Sequence, residues 1–396
     1  MSESYGATLD EREALIDAAR SIAPRIREAS DEIEAARQLP THVVQLLKDA
    51  GAFALLQPRW LGGHDADPVT QILFIEEIAK ADTSAAWCVM IGCDSGLLSR
   101  ELNPEVARSM FADINSATCG AAFPPGTAVR VDGGYLATGR WPYFSGVTHA
   151  DWVQFSCKVI RDETSQVIRD DTAVGDHPAY IRLVAPQSDV TVLDTWRTTG
   201  MRGTGSHDVE ITDLFIPDER SILPRPSQRS VPGEPLRHPA WLLPKHLGVP
   251  LGLVQAAHAE VVELARNRVA VRGALRDDAL TQSTIGETAA RIAACRAYAL
   301  SAADTAWQEV CTTGELSDIN RAQLRLAITF VHRESVKIVE QLYSIAGSSS
   351  LHTERSTLDR RLRDMHAMNQ HVVLGASNYA AAGRLLLGQE PDAPFW

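Results

Sequence analysis

Four clusters of residues in this 396-residue chain combine types and spacings that do chemistry. The first is GRWPYFSGVTHADW, residues 139–152, where Trp141, Tyr143, Phe144 and Trp152 surround Ser145, Gly146 and His149 at a predicted strand end. It reads equally as a platform for a flat ligand or as a hydrophobic plug between domains. The second, TWRTTGMRGTGSHDVEITDLFIP over 195–217, has Gly200, Gly203 and Gly205 to let backbone pass close to a partner, with Arg202 and Ser206 as donors. A phosphate-approach loop and a wide β-turn both fit that pattern. The third, ELARNRVAVRG over 263–273, carries Arg266, Arg268 and Arg272 near the end of a predicted helix, where basic side chains also favour the helix dipole. The fourth is RRLRDMHAMNQH, 360–371. On a continuous helix Asp364, Met368 and His371 share one face and Arg363, His366 and Gln370 another, which fits acid–base work or plain packing.

Other chemistries are excluded by pattern. There is no GxGxxG after a strand, no GxxxxGK[ST] and no HExxH, and Gly203–Ser206 lies between strands rather than on a nucleophile elbow. His366 and His371, five apart, would point about 140° from each other on a straight helix and so would not share a metal, and no metal site is expected. Lys and Arg total 38 against 50 Asp and Glu, a net charge of −12, which argues against a nucleic-acid partner. No apolar run reaches the roughly 18 residues of a membrane span, and the acidic start has no export-signal pattern. The six cysteines are scattered without a CxxC pair, so reduced thiols and a cytoplasmic location are expected.

Three regions must position these clusters. Residues 1–117 read as a helical domain: LPTHVVQLLKDAGAF starts at Pro40-Thr41 and stops before Gly51, and 67–102 reads as one or two buried helices. Residues 118–222 alternate β-branched and polar residues in five or six short runs, predicting a small antiparallel barrel or sandwich. Residues 223–250 hold seven prolines from Pro224 to Pro250 and read as a linker without regular helix. Residues 251–396 read as a four-helix bundle over 252–272, 279–312, 318–346 and 357–388, with Ser317 and Ser356 as caps.

The domain order and the clusters together resemble the acyl-CoA dehydrogenase superfamily. The stretch from Thr195 to Pro217, with the pattern W-R-x-x-G-M-R-G-T-G-S-x-D-V ending in F-I-P, carries most of the likeness. Leu39-Pro40, Gly62-Gly63, the Gly347 break in QLYSIAGSSSL and the GRLLLGQEPDAPFW tail support it. The resemblance implies an α+β fold of N-terminal helical domain, central β-barrel and C-terminal four-helix bundle, in a homotetramer with flavin at a subunit interface. Where many members place a Tyr-Glu-Gly base after Arg-Asp, this chain has Arg363-Asp364 followed by Gln370-His371-Val372-Val373. The family's dehydrogenase carboxylate is therefore missing.

The likeness is instead to the two-component flavin-dependent monooxygenases: aromatic hydroxylases, dibenzothiophene oxygenases and amino-sugar N-oxygenases. Phe144-Ser145-Gly146 with His149-Ala150 resembles their S-S-G-x-x-H-A, and Arg363-Asp364-Met365-His366 with His371 their histidine-bearing last helix. The implied activity is insertion of one oxygen of O2 into a small organic substrate through a flavin C4a-hydroperoxide. Reduced FMN or FAD would come from a separate NAD(P)H:flavin reductase. His371, His366 and Ser145 are the implied catalytic residues. Trp141, Phe144, Ser145, Arg202, Ser206, Arg268 and Gly347 are the implied flavin contacts. Asp94, Ser95, Tyr143 and Met368 are the implied substrate contacts, Asp94 and Ser95 lying where several aromatic hydroxylases have a histidine. A dehydrogenase or oxidase with FAD and an unusual base, and a silent scaffold, are the alternatives.

Overall fold

A computed structural model describes residues 5–160, 180–223, 233–270 and 273–391, with only the backbone of 122, 124, 125 and 270. Arg272 and the first part of the proline-rich stretch, 224–232, lie outside the described residues.

Seven helices precede the sheet: α1 (Leu9–Glu28), α2 (Ser30–Ala36), α3 (Thr41–Asp49), α4 (Pro68–Ala81), α5 (Thr83–Gly92), α6 (Ser95–Ser99) and α7 (Pro104–Met110). Local chemistry sets their starts. Thr8 and Glu11 close a capping box on α1, Asp67 caps α4 ahead of Pro68, and Asp82 accepts from the Ala85 N–H to begin α5. The segment expected as one or two buried helices is three: Asp82 caps a fresh start at α5, and a turn at Cys93-Asp94 separates α5 from α6. Every residue of α5 except Ile91 is buried, so this helix can present side chains only to other elements.

The sheet runs β1 (Thr118–Val131), β2 (Gly134–Phe144), β3 (Trp152–Ile160), β4 (Tyr180–Pro186), β5 (Thr191–Leu193), β6 (His207–Pro217) and β7 (Ser221–Ile222). Its spatial order is β5-β6-β2-β1-β3-β4-β7. The small antiparallel barrel or sandwich expected here forms as a sheet that is antiparallel except for one parallel pair. The chain leaves the β1–β2 hairpin and returns on the far side of β1, which makes β1 and β3 parallel, and no ladder joins β5 to β7 among the described residues. A register shift between Trp141 and Phe144 re-aims the last turn of β2.

The C-terminal region contains α8 (Gly248–Asn267), α9 (Ala279–Thr313), α10 (Asp318–Ala346), α11 (Leu358–Met368) and α12 (Ser377–Leu386). Ser317 caps α10 and Gly314, at φ +76°, ends α9. Two expectations change. Helix α8 begins at Gly248, with Pro250 in its first turn where no intrahelical N–H is missed. The fourth segment is not continuous: α11 stops at Met368, a turn holds Val372–Leu374, and α12 starts afresh at Ser377. Ser356 still helps start α11, accepting from the Leu358 N–H at 3.2 Å while donating to Glu260. Within the proline-rich stretch, 235–247 folds as three short 3-10 turns whose Trp241, Lys245, His246 and Leu247 are buried. This part is core, not a free connector.

One hydrophobic core joins the N-terminal helices to α8, α10 and α11. It encloses Trp87, Met201 and Met368 together, and so brings α5, the 195–206 loop and the end of α11 to one place.

Candidate active site

Trp87 is the common wall of the site. Its indole N–H donates to Ser145 Oγ at 3.1 Å, and Ser145 Oγ lies 2.7 Å from Ser206 Oγ. Ser206 Oγ in turn lies 2.6 Å from Thr204 Oγ1, which donates to the Met201 carbonyl at 2.8 Å. Ser145 reaches this chain because Tyr143 (φ +68°) and Gly146 (φ +81°) bend the end of β2.

The other side of Trp87 faces histidines. His371 meets it edge-on at 5.5 Å between ring centroids, His246 at 5.8 Å, and the two histidines lie 5.6 Å apart. His246 Nδ1 faces the Leu243 carbonyl at 3.0 Å, and His332 Nδ1 on α10 faces the Ile328 carbonyl at 2.8 Å. A carbonyl accepts only, so both rings carry the hydrogen on Nδ1 and leave Nε2 as an acceptor. His371 Nδ1 is buried with no hydrogen-bond partner among the described residues. Burial holds the His371 and His332 pKa values down to about 4, and that of His246 well below the usual range, with His371 and Lys245 adding repulsion. These rings are neutral at pH 7. At pH 6 the 15N shifts of His371 should show an uncharged imidazole, and an imidazolium pattern there would contradict this environment.

A buried ion pair closes the site behind His246. Lys245 is fully enclosed, with Nζ 2.7 Å from Asp94 Oδ1 and donating to the Leu242 carbonyl at 2.6 Å. Asp94 is thus committed to a cation. Ser95 donates to the Phe53 carbonyl at 3.2 Å, so it too is spoken for.

The 195–206 loop is tied to α11. Asp364 accepts from the Met201 N–H at 2.6 Å, and Met201 sits at φ +54°, a conformation the bond helps hold. Burial raises the Asp364 pKa to about 7 despite that bond. The glycines of the loop answer to close approach: a side chain on Gly200 would meet the Arg363 carbonyl, and one on Gly203 would meet Ile33.

Of the residues singled out by sequence, Ser145, Ser206, Met368 and His371 gather around Trp87 or in the core that encloses it. Others do not join them. Trp141 and Phe144 are wholly enclosed in the sheet core, Trp141 against Phe155 at 4.7 Å, so the expected aromatic wall for a flavin is not built from their rings. The inward positions of β2 take them, and Tyr143 points outward, packing edge-on against Trp196 at 6.2 Å. Trp152 donates to the Met110 carbonyl at 3.0 Å. His366 lies half exposed on α11 beside Glu340 at 3.2 Å, away from His371, since the helix ends between them. Arg202 turns to the Glu34 and Thr198 carbonyls at 3.3 Å each. Arg268 and Gly347 do meet: Arg268 donates to the Ala346 carbonyl at 2.8 Å and to Ser349 Oγ, beside Gly347 at φ +57°. Among the described residues no group of three or more His, Cys, Asp and Glu could hold a metal ion.

Sequence reasoning missed Trp87, Lys245, His246 and His332. Each sits in an apolar or proline-punctuated run that reads as packing. The one available signal was Lys245-His246 in LLPKHLGVP, a charged and a titratable residue where an apolar stretch has no need of either.

Comparison with known proteins identifies the scaffold. Residues 9–106 match the acyl-CoA dehydrogenase N-terminal domain and residues 246–375 the acyl-CoA dehydrogenase C-terminal domain. The chain belongs to the acyl-CoA dehydrogenase family. It is 27% identical to the indole-3-acetate monooxygenase of Pseudomonas putida, over 96% of this chain and 94% of that one. It is 28% identical to HsaA of Rhodococcus jostii, the oxygenase subunit of a flavin-dependent monooxygenase, over 89% and 92% of the two chains. XiaF from Streptomyces, solved with FADH2 and glycerol, superposes with a TM-score of 0.88 at 26% identity, covering 97% of this chain and 98% of that one. Among family members this chain is therefore an oxidoreductase of the flavin-dependent monooxygenase class. No helix among the described residues is long and apolar enough to cross a membrane.

Proposed function

We propose that this enzyme uses reduced FMN or FAD, delivered by a separate NAD(P)H:flavin reductase, to insert one oxygen atom of O2 into a small aromatic substrate. The observation that carries the reading is the neutral, buried His371 with an unpartnered ring nitrogen against Trp87 and His246, where a dehydrogenase of this family would need a carboxylate. Two buried carboxylates near the site are already committed, Asp364 to the Met201 N–H and Asp94 to Lys245.

The residues present suit a flavin. Ser145 offers a hydroxyl oxygen with a lone pair unused by Trp87, and Arg268 with Ser348 and Ser349 forms a basic, hydroxyl-rich cradle for a phosphate at the Gly347 break. Bound reduced flavin would supply the activation of O2. The chain's own residues then do the rest. Trp87 and the surrounding core exclude water. Ser145 fixes the ring edge. His371, neutral and unpartnered at Nδ1, holds or moves the proton that oxygen transfer requires, and the flat rings of Trp87, His246 and His371 favour a flat acceptor.

Anaerobic titration with reduced FMN and reduced FAD, followed by air, tests this. Saturable binding of reduced flavin and a long-lived flavin–oxygen spectrum are expected, and product forms from a panel of indole, indole-3-acetate and resorcinol. Tightly held oxidised FAD that bleaches with substrate, and no such spectrum, would favour the dehydrogenase instead.

A further inference from the structure

Arg325 on α10 is a buried cation with nothing to hold it. It is 8% exposed, its Nη1 is enclosed without a hydrogen-bond partner, and no carboxylate pairs with it among the described residues. The charge it does sense is another cation, Arg321, and burial lowers its pKa to about 10. Asp318, at the start of the helix, is taken by Arg321 at 3.3 Å. Carboxylates are not scarce in a chain of net charge −12, yet none is placed here. Arginine is rarely enclosed unless paired, and methionine or leucine would fill the same space at less cost in lost hydration. A guanidinium kept here without a partner implies one that arrives from outside.

Its position ties it to the histidines. Thr329 lies four residues further along α10 and His332 seven, so the three share one stripe about 10 Å long. Thr329 Oγ1 accepts from Asn378 at 2.8 Å, and Asn378 also donates to the carbonyl of Val373, two residues after His371, at 2.9 Å. His332 Nε2 is buried without a partner, and its ring is near enough to His371 to feel its charge. The stripe thus runs from the histidine end of the site, past the turn that follows His371, to the unpaired cation. Leu324, Ile328 and Leu374 make the surroundings apolar.

We propose that Arg325 anchors a carboxylate, borne by the substrate on a short aliphatic tail while its ring lies against Trp87 and His371. The assignment to the substrate rests on the functional reading above. A guanidinium fork matches a planar carboxylate, two N–H groups to two oxygens. Because the side chain is already more than nine-tenths enclosed by its own chain, the ligand is small or carries its charge on a narrow tail. A free small carboxylate would meet Arg325 by the same chemistry, and the test separates the two sources. No covalent bond forms or breaks at Arg325; it binds and orients.

The test measures dissociation constants of indole-3-acetate and indole-3-butyrate against their amides, which have the same size without the charge. Wild type is expected to bind the acid of at least one chain length about tenfold or more tighter than its amide. Arg325→Gln should erase that preference by weakening the acid, leaving the amide within about twofold, and Arg325→Lys, which keeps the charge but not the fork, should restore part of it. Arg325→Met is the folding control: without ligand it should melt no lower than wild type, because an enclosed unpaired charge has been removed. If acid and amide bind wild type equally, while sodium acetate raises the Tm of wild type but not of Arg325→Gln, the carboxylate is a free one and the substrate assignment falls. Equal affinities with no acetate effect, or an acid preference that survives Arg325→Gln, overturn the proposal. So does a large fall in Tm, or loss of the native assembly, in both Arg325→Gln and Arg325→Met, since protein groups would then be holding the arginine. An acid preference that depends on Arg325 without any oxygenated product would instead sink the monooxygenase reading and leave the carboxylate site standing.

Discussion

Replacing His371 with alanine should lower product formation in the coupled reaction about 100-fold or more, the ordinary worth of a positioned acid–base group, while leaving reduced-flavin binding within about threefold. The separation follows from where the side chain sits. His371 touches Trp87 and His246, whereas the groups suited to hold flavin are the Ser145 chain and the Arg268 cradle, neither of which it contacts. Consumed O2 should then appear as hydrogen peroxide rather than product. His366→Ala is the matched control: half exposed and beside Glu340, it should change turnover by less than about twofold. Equal losses in both variants would mean that the effect is on α11 folding, and undiminished product from His371→Ala would remove this residue from the chemistry.

The contrast between those two histidines also shows where sequence reading reaches its limit. Signals carried by a few neighbouring residues were legible: Ser317 before α10, Gly314 after α9, Pro40 before α3, and the turn at Asp132-Gly133 between β1 and β2. Signals carried by distant partners were not. The parallel pairing of β1 with β3 depends on which side of the hairpin the chain returns to, and no local residue states that. Likewise the break after Met368 has no proline. It is held by burial of Leu374 and by Asn378, which donates to Thr329 Oγ1 at 2.8 Å and to the Val373 carbonyl at 2.9 Å. A helical wheel drawn through residues 357–388 therefore put His371 on the Asp364 face, when tertiary packing turns it toward Trp87. At the site, the hydroxyls and His371 were visible because such residues stand out against a glycine-rich loop or a terminal helix. Trp87 and His332 were not, because a buried helix of a large protein is expected to contain such side chains anyway.

Lys245→Met should be the most destabilising substitution near the site, at about 3–5 kcal/mol near neutral pH, because it strands the Asp94 carboxylate in the interior. Burial already pushes the Asp94 pKa up, and Lys245 is the main force pulling it back. Without the lysine the folded-state pKa rises further above the unfolded value. An acid whose folded pKa is raised binds more protons folded than unfolded between those two values, so the deficit should grow as pH rises through that window and shrink toward pH 4. Urea unfolding at pH 5 and pH 8 measures this directly, and a deficit independent of pH would sink the argument. Adding Asp94→Asn to Lys245→Met should recover more than half of the loss, since a neutral pair no longer carries the stranded charge; strictly additive losses would show the two are uncoupled. The same pair has a consequence for turnover. Lys245 sits one residue before His246, so its bond to Asp94 on the α5–α6 junction ties down the turn that, with the Leu243 carbonyl on the His246 ring, holds His246 against Trp87 and His371. The double variant, though folded, should therefore still turn over more slowly than wild type. Stability would return with charge neutrality, but the geometry of the histidine pair would return only with the ion pair itself.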